Sequence, residues 1–346
     1  MKNSMKYVLT GCAAVMLLYA GWGKEGFISA RQLSEADFDA VPALQARATA
    51  APGTALTASG SGFSVDKGTR SFKLGADTRT VVITGENGSI ELKQGRGKDI
   101  EVHTKVFVTG ASRLEAQSIA DKSGIKVSQG AVLEIKTYSG TDGISSRNPP
   151  SIHVTVTLPQ GVKADLQAEL SNGNITLSNV TSAGSIELTS QNGQITAKGS
   201  GSELSIQTDN GRVDVSDAKK CVKISVINGN IRAERISGAL DMEVTSGNLS
   251  AEDAFSSIEA ISVAGNIHIA SSKVGGNWNV SNTAGNVSLA WPKQADVEVD
   301  ASSSFGKPET DLPLTVKGGR ISGTLGAGTY HIKASSLAGL SLMNNN

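Results

Sequence analysis

Aromatic residues make up only 4% of this chain of 346 residues, and it has just two cysteines and four histidines. So few aromatics argue against the bulky core of a conventional globular enzyme, and they leave little surface for stacking on sugar rings. Cys12 and Cys221 form neither a disulfide framework nor a zinc-ligand spacing. If the N-terminal segment carrying Cys12 is removed, Cys221 has no partner in the chain, and it is expected to be a structural thiol leading into a strand. None of His103, His153, His268 and His331 stands at metal-ligand spacing from a second histidine or a cysteine. Charge of one sign is also missing: lysine plus arginine and aspartate plus glutamate number 32 each, without a basic run. Non-specific nucleic-acid binding gains from counterion release into a positive field, so no nucleic-acid partner is expected. There is no glycine-rich phosphate loop ahead of a helix and no nucleophile elbow.

What the chain has instead is glycine, 39 residues of it, against 8 prolines. Much of it is periodic. Asn192-Gly193-Gln194-Ile195, Asn210-Gly211-Arg212-Val213, Asn228-Gly229-Asn230-Ile231, Ser246-Gly247-Asn248-Leu249 and Ala264-Gly265-Asn266-Ile267 place glycine at an unbroken period of 18. Looser copies flank them at Asn172-Gly173-Asn174-Ile175 and Ala284-Gly285-Asn286-Val287. After each glycine, apolar positions alternate with polar ones (Ile195, Val213, Ile231, Leu249, Ile267, then Ala197, Val215, Ala233, Ala251, Ile269), as a half-buried strand requires. Half a period away a second set does the same, with Ile186, Leu204, Val222, Leu240, Ile258 inward and Glu187, Ser205, Lys223, Asp241, Glu259 outward.

Each repeat therefore supplies two short strands and two turns. Stacking the repeats buries a continuous aliphatic column, the pattern of a solenoid. A string of independent Asn-Gly hairpins is the competing reading, but hairpins have no reason to share one length. The expected fold is all-β: a β-solenoid, parallel β-helix-like, of roughly 18–20-residue coils, with less regular β regions at both ends. Glycine suits the turn because it reaches positive φ without a steric penalty. Asn172, Asn192, Asn210 and Asn228 stand where a coil-to-coil amide ladder would form, or where each would serve only its own turn.

Before the coils, Lys2 and Lys6 precede an apolar run from Tyr7 to Trp22, which reads as a signal peptide or short membrane anchor over residues 1–23. Cleavage after Gly23 and a lipobox-like Leu9-Thr10-Gly11-Cys12 that would lipidate Cys12 are alternative fates. All of them send the remainder out of the cytoplasm, to the periplasm, the outer membrane or the cell surface. Residues 24–62 read as a flexible linker with a brief helix at Ser34–Phe38. Residues 63–170 form an N-terminal β region, with strands expected at 80–84, 89–93, 100–108, 125–128, 132–137 and 152–158 and a short helix over 112–122. The coils occupy 171–292 and are expected to end at Trp291. A C-terminal β cap, with strands around 297–299, 314–316 and 331–333, fills 293–343 and hides the last open edge.

Chemistry is harder to find. Asp241 and Glu259 fall on adjacent coils in one outward column, where like charges raise a pKa or attract a cation such as Ca²⁺. Lys223 precedes them in that column, and Asp214 with Arg232 makes a similar mixed pair opposite. The reading adopted is a solvated ion-pair ladder. His268 is read as a solvated strand histidine. No catalytic, cofactor-binding or metal residue is assigned, no cofactor is expected, and the chain is read as a non-enzyme.

The order of Val82-Ile83-Thr84-Gly85-Glu86-Asn87-Gly88-Ser89-Ile90, Val156-Thr157-Leu158-Pro159-Gln160-Gly161-Val162, the Asn-Gly-x-Ile units, Ser304-Phe305-Gly306 and Asp311-Leu312-Pro313-Leu314 resembles the bacterial putative-adhesin β-repeat domain family, a domain of unknown function, over roughly residues 80–340. The resemblance implies an exported, envelope-associated β-solenoid and carries over no catalytic residue. The functional expectation is a non-enzymatic envelope protein presenting a rigid rod, as an adhesin or scaffold. Envelope-stress sensing through a bound partner is the alternative, and a polysaccharide-active enzyme a lesser one. The expected partner is a protein or glycan at the envelope, the membrane is met only through the N-terminal segment, and the sequence leaves the oligomeric state open.

Overall fold

Register between coils is the organising feature of the structure, a computed structural model that describes residues 47–48, 56–140 and 149–345, all within the compact unit Ala46–Asn346. The leader, Cys12 and the Ser34–Phe38 helix lie outside the described residues. Leu204–Ser216 and Val222–Ile236 run parallel with partners 18 residues apart, from Leu204↔Val222 through Gly211↔Gly229 to Ser216↔Glu234. The same pairing continues through Leu240–Ser246 and Leu249–Ala254 to Ile258–Ala264 and Ile267–Ala270, and on to Trp278–Ala284 and Val287–Trp291. Going the other way it passes through Ile186–Asn192 and Ile195–Lys198 to Asp165–Ser178. The solenoid expected from the period is the observed fold.

Each coil kinks at its glycine. Gly173, Gly193, Gly211, Gly229, Gly247, Gly265 and Gly285 have φ between 130° and 157°, a region open to glycine and closed to other residues. A Cβ on any of them would also collide with the carbonyl oxygen of the glycine one coil earlier. Conformation and close approach together fix the residue type. At the opposite corner the chain turns through left-handed Asn179, Gly199, Asp217, Arg235 and Asp253, with φ between 52° and 70°.

The inward columns are fully buried. Ile186, Leu204, Val222, Leu240 and Ile258 are at most 2% exposed, as are Ile195, Val213, Ile231, Leu249 and Ile267. Burying each such side chain is worth about 1.5–3 kcal/mol relative to leaving it exposed. Trp278 and Trp291 are buried in this core toward its C-terminal end, packed edge-to-face with ring centroids 6.0 Å apart.

Both ends of the stack are built out of chain order. Thr80–Gln94 lies parallel to Asp165–Ser178, Asn87 opposite Asn172 and Gly88 opposite Gly173. Beyond it, Val132–Tyr138 pairs with its first half and Ser151–Leu158 with its second. From there the sheet turns antiparallel: Ile100–Thr109 pairs with Ser151–Leu158, and Gly62–Phe72 pairs with Ile100–Thr109. The expected helix is Arg113–Asp121, started by a capping box between Ser112 and Glu115 and burying Ala116, Ile119 and Ala120.

At the other end the coils do not stop at Trp291. Tyr330–Ser336 and Leu340–Asn344 stack on the 278–291 coil, Trp278 opposite Ile332 and Val287 opposite Leu340. They are sandwiched between it and the earlier Val297–Ser303 and Glu309–Thr310. Antiparallel Arg320–Leu325 and Thr315–Lys317 then finish the sheet. The linker expectation also changes at its end. Thr57–Ser59 forms a hairpin with Gly62–Phe72, because Gly60 at φ 57° makes a turn of what reads as Gly-Ser spacer.

Candidate functional surface

Outward residues on the strands that follow the glycines make one continuous polar face. Its first column runs His153, Ser89, Asn174, Gln194, Arg212, Asn230, Asn248, Asn266, Asn286 and Gly339. The second runs Thr155, Glu91, Thr176, Thr196, Asp214, Arg232, Ser250, His268, Ser288 and Ser341. Amides and hydroxyls dominate, at the strand spacing of about 4.8 Å.

Two amide ladders flank the glycine kinks. In the first, Nδ2 of Asn172, Asn192, Asn210 and Asn228 donates to Oδ1 of Asn87, Asn172, Asn192 and Asn210, at 3.1–3.2 Å. This is the coil-to-coil ladder that the sequence offered as one of two readings. The second is one that sequence reasoning missed. Oδ1 of Asn230, Asn248, Asn266 and Asn286 accepts the backbone N–H of Asn248, Asn266, Asn286 and Gly339, at 2.9–3.0 Å. Its signal was on the page as consecutive Gly-Asn pairs. Asn174 Oδ1 accepts Gln194 N–H in the same way at 3.0 Å, so Asn172-Gly173-Asn174 and Asn228-Gly229-Asn230 each belong to both ladders.

The charged residues weighed from sequence come together differently from their expected pairing. Asp214 and Arg232 are in register but do not pair. Asp214 binds Arg212 at 2.7 Å, and Arg232 binds Glu234 of its own strand and lies 3.7 Å from Glu252. Side chains on alternate residues of one strand meet more readily than the column geometry suggested. On the opposite face, Asp241 and Glu259 are neighbours as expected, with Lys223 Nζ 3.4 Å from Asp241. Burial, and then the Asp241 carboxylate, hold the Glu259 pKa above its ordinary value. Among the described residues no group of three or more His, Cys, Asp or Glu side chains could hold a metal ion. His268 is exposed between Ser250 and Ser288 in its column. Cys221 is disulfide-bonded rather than the thiol expected.

His153 is half-buried. Its Nδ1 is 2.8 Å from Ser89 Oγ, its Nε2 3.0 Å from Ser151 Oγ, and its ring 4.5 Å from Phe107. Burial, and then the facing Lys105 ammonium, push its pKa below the usual histidine value. Both ring nitrogens are within hydrogen-bond distance of hydroxyls, and among the described residues no carboxylate bonds to the ring. His103 pairs with Asp66 at 2.9 Å and His331 with Glu298 at 3.1 Å. A shallow depression of about 590 Å³ lies at a corner of the stack beside Gln160, Lys163, Asn179 and Thr181. Its Gln94 is occupied structurally, donating to Pro159 O at 2.6 Å and accepting from Thr181 N at 3.0 Å.

Stacked parallel coils with a glycine spine, flanked at each end by antiparallel strands, define a β-solenoid protein. The chain belongs to the Toastrack DUF4097 family, whose profile matches residues 78–339. Solved structures similar to it include a putative cell adhesion protein from Clostridium sporogenes, at 14% identity over 81% of this chain and 98% of that one, TM-score 0.28. A putative adhesin from Bacteroides fragilis is 12% identical over 80% and 96%, TM-score 0.33. A putative lipid binding protein from Parabacteroides distasonis is 13% identical over 80% and 96%, TM-score 0.33. A comparison with curated proteins finds no match.

Proposed function

We propose that this is a non-enzymatic, exported protein of the cell envelope that presents a rigid β-solenoid as an adhesive or scaffolding surface. The observation behind this reading is the unbroken polar face, on which amides and hydroxyls repeat coil after coil on a backbone locked by the glycine spine. A surface held this rigidly loses little freedom on binding an extended partner. The expected partner is a protein or glycan of the envelope. The test is protease digestion of intact and permeabilised cells, together with binding of the full chain to isolated envelopes. Digestion on intact cells favours surface adhesion, and protection until permeabilisation favours a periplasmic scaffold. Absence of envelope binding in both settings overturns the reading.

A second reading, regulatory binding of a protein partner, is favoured by an exposed apolar column on the other face. Ile227, Val263 and Leu337 are 46%, 47% and 42% exposed. They alternate with Thr245 and Thr283 along one edge of the stack. Crosslinking in cells separates the readings. Ile227→Asp with Val263→Asp abolishes a protein crosslink if this column is the interface, and leaves envelope binding unchanged if the polar face is.

A further inference from the structure

We infer that the asparagine row Asn230, Asn248, Asn266 and Asn286 is a binding site for an extended, uncharged polymer of N-acetylated amino sugars. The inference rests on the adhesive-surface reading and names its ligand class. In each of these residues Oδ1 is fixed by the backbone N–H of the next coil, at 2.9–3.0 Å. That bond sets the plane of the carboxamide and so the direction of its N–H₂ group. All four side chains are exposed. Among the described residues the only bond from an Nδ2 of this row is a long one, Asn266 to Asn248 Oδ1 at 3.4 Å. The result is a row of oriented donors, one per coil, about 4.8 Å apart.

A matching ligand carries strong neutral acceptors at a multiple of this interval along an extended chain. The acetamido carbonyl of an amino sugar is such an acceptor: successive sugars of an extended β-linked chain are turned over, so the acetamido groups on one side recur every second sugar and meet every second donor, while the donors between face ring hydroxyls. The neighbouring column adds Ser250, His268 and Ser288, which can donate to or accept from sugar hydroxyls. Its one cation, Arg232, is held by Glu234 and Glu252, so the row lacks the unpaired positive charge that a polyanion would require.

The row also has a defined length. In the two preceding coils the equivalent positions are spent, which separates the row from Asn174, whose Oδ1 accepts Gln194 N–H at 3.0 Å. Gln194 Nε2 donates to Asp214 at 2.8 Å and to Thr196 at 3.3 Å, and Arg212 binds Asp214 at 2.7 Å. At the far end Gly339 has no side chain. Four donors therefore span about 14 Å, the length of about four sugars.

The test is calorimetric titration of the full chain with chitin oligosaccharides of increasing length, and with cellulose oligosaccharides, which share the backbone but lack the acetamido group. Expected are binding of the chitin series only, tightening up to about four sugars and then levelling off. Asn248→Asp with Asn266→Asp keeps the Oδ1 acceptor that the stack uses while replacing the donor. It is expected to melt within a few degrees of the unaltered chain and to bind at least tenfold more weakly. Asp241→Asn, on the opposite face, is expected to bind normally. Equal affinity for the two sugar series, or undiminished binding by the double variant, overturns the inference. So does a full chain that ignores chitin oligosaccharides yet binds isolated envelopes, an outcome that leaves the adhesive reading standing. Failure to bind either sinks both.

Discussion

The carbonyl oxygen of Gly211 occupies the place where a side chain on Gly229 would begin. The relation repeats up the stack, each glycine closed off by the one before it, so the kinks form a spine with no room for a methyl group. Gly229 also has φ 154°. Gly229→Ala is therefore expected to destabilise the rod by about 2–4 kcal/mol, combining backbone strain with displacement of the neighbouring coil. Gly161→Ala is the control, since Gly161 has φ 72° but nothing within 4 Å of its would-be Cβ. It should cost about 1 kcal/mol. Urea unfolding followed by circular dichroism measures both, and equal costs would refute the steric account.

The first amide ladder should be cooperative. Asn210 donates to Asn192 and accepts from Asn228, both at 3.1 Å on an exposed edge. Asn210→Ala is expected to cost about 1–2 kcal/mol for two hydrogen bonds. In a double-mutant cycle Asn192→Ala and Asn210→Ala should fall short of additivity, since they share a bond. Strict additivity would mean that each asparagine serves only its own turn.

Stability should depend on the protonation of His153. Its folded pKa lies below the ordinary 6.5 because of burial and Lys105. The unfolded chain then takes up the proton first. The contribution is fully present above about pH 6.5 and is lost as the pH falls through the folded value. His153→Gln should flatten that part of the melting-temperature profile, and Lys105→Met should move the ring titration seen by NMR upward. An unchanged profile in His153→Gln would exclude the histidine as its source.

Glu259 should show the opposite sign. Its raised pKa means that ionising it costs more in the fold than in the unfolded chain, so the penalty grows as the pH rises through the folded value. Glu259→Gln is expected to raise the melting temperature at pH 7, and the gain should vanish near pH 4, where both states are protonated. A loss of stability at pH 7 would show that attraction to Lys223 outweighs burial and repulsion.

The coils were legible because two signals agreed at every repeat: a glycine that the kink demands and apolar alternation on both sides of it. The helix was legible from its spacing at Leu114, Ser118 and Ile119, with Ile119 buried as expected and Leu114 exposed. The order of the end coils was not. Asn87 meets Asn172 and Trp278 meets Ile332 across long excursions, and parallel pairing between distant segments leaves no turn signature. On the face itself, the residues before each glycine suggested a ladder because asparagine repeats there without a gap. The residues after it include Gln194 and Arg212, which break the pattern by eye although the backbone beneath them is unchanged. Charge pairing was misread at Arg232 because columns were compared between coils, whereas Glu234 lies two residues along the same strand.

The out-of-order ends also bear on how such a protein can change length over generations. A copy of a repeat added ahead of residue 80 would follow the antiparallel Gly62–Phe72, and one added beyond residue 344 would follow a strand already paired on both sides, by Val287–Trp291 and Glu309–Thr310. New coils can be accommodated only by duplication within the segment from 165 to 291, where every neighbour is parallel and in register. The rod grows from its middle, and its two ends travel apart unchanged.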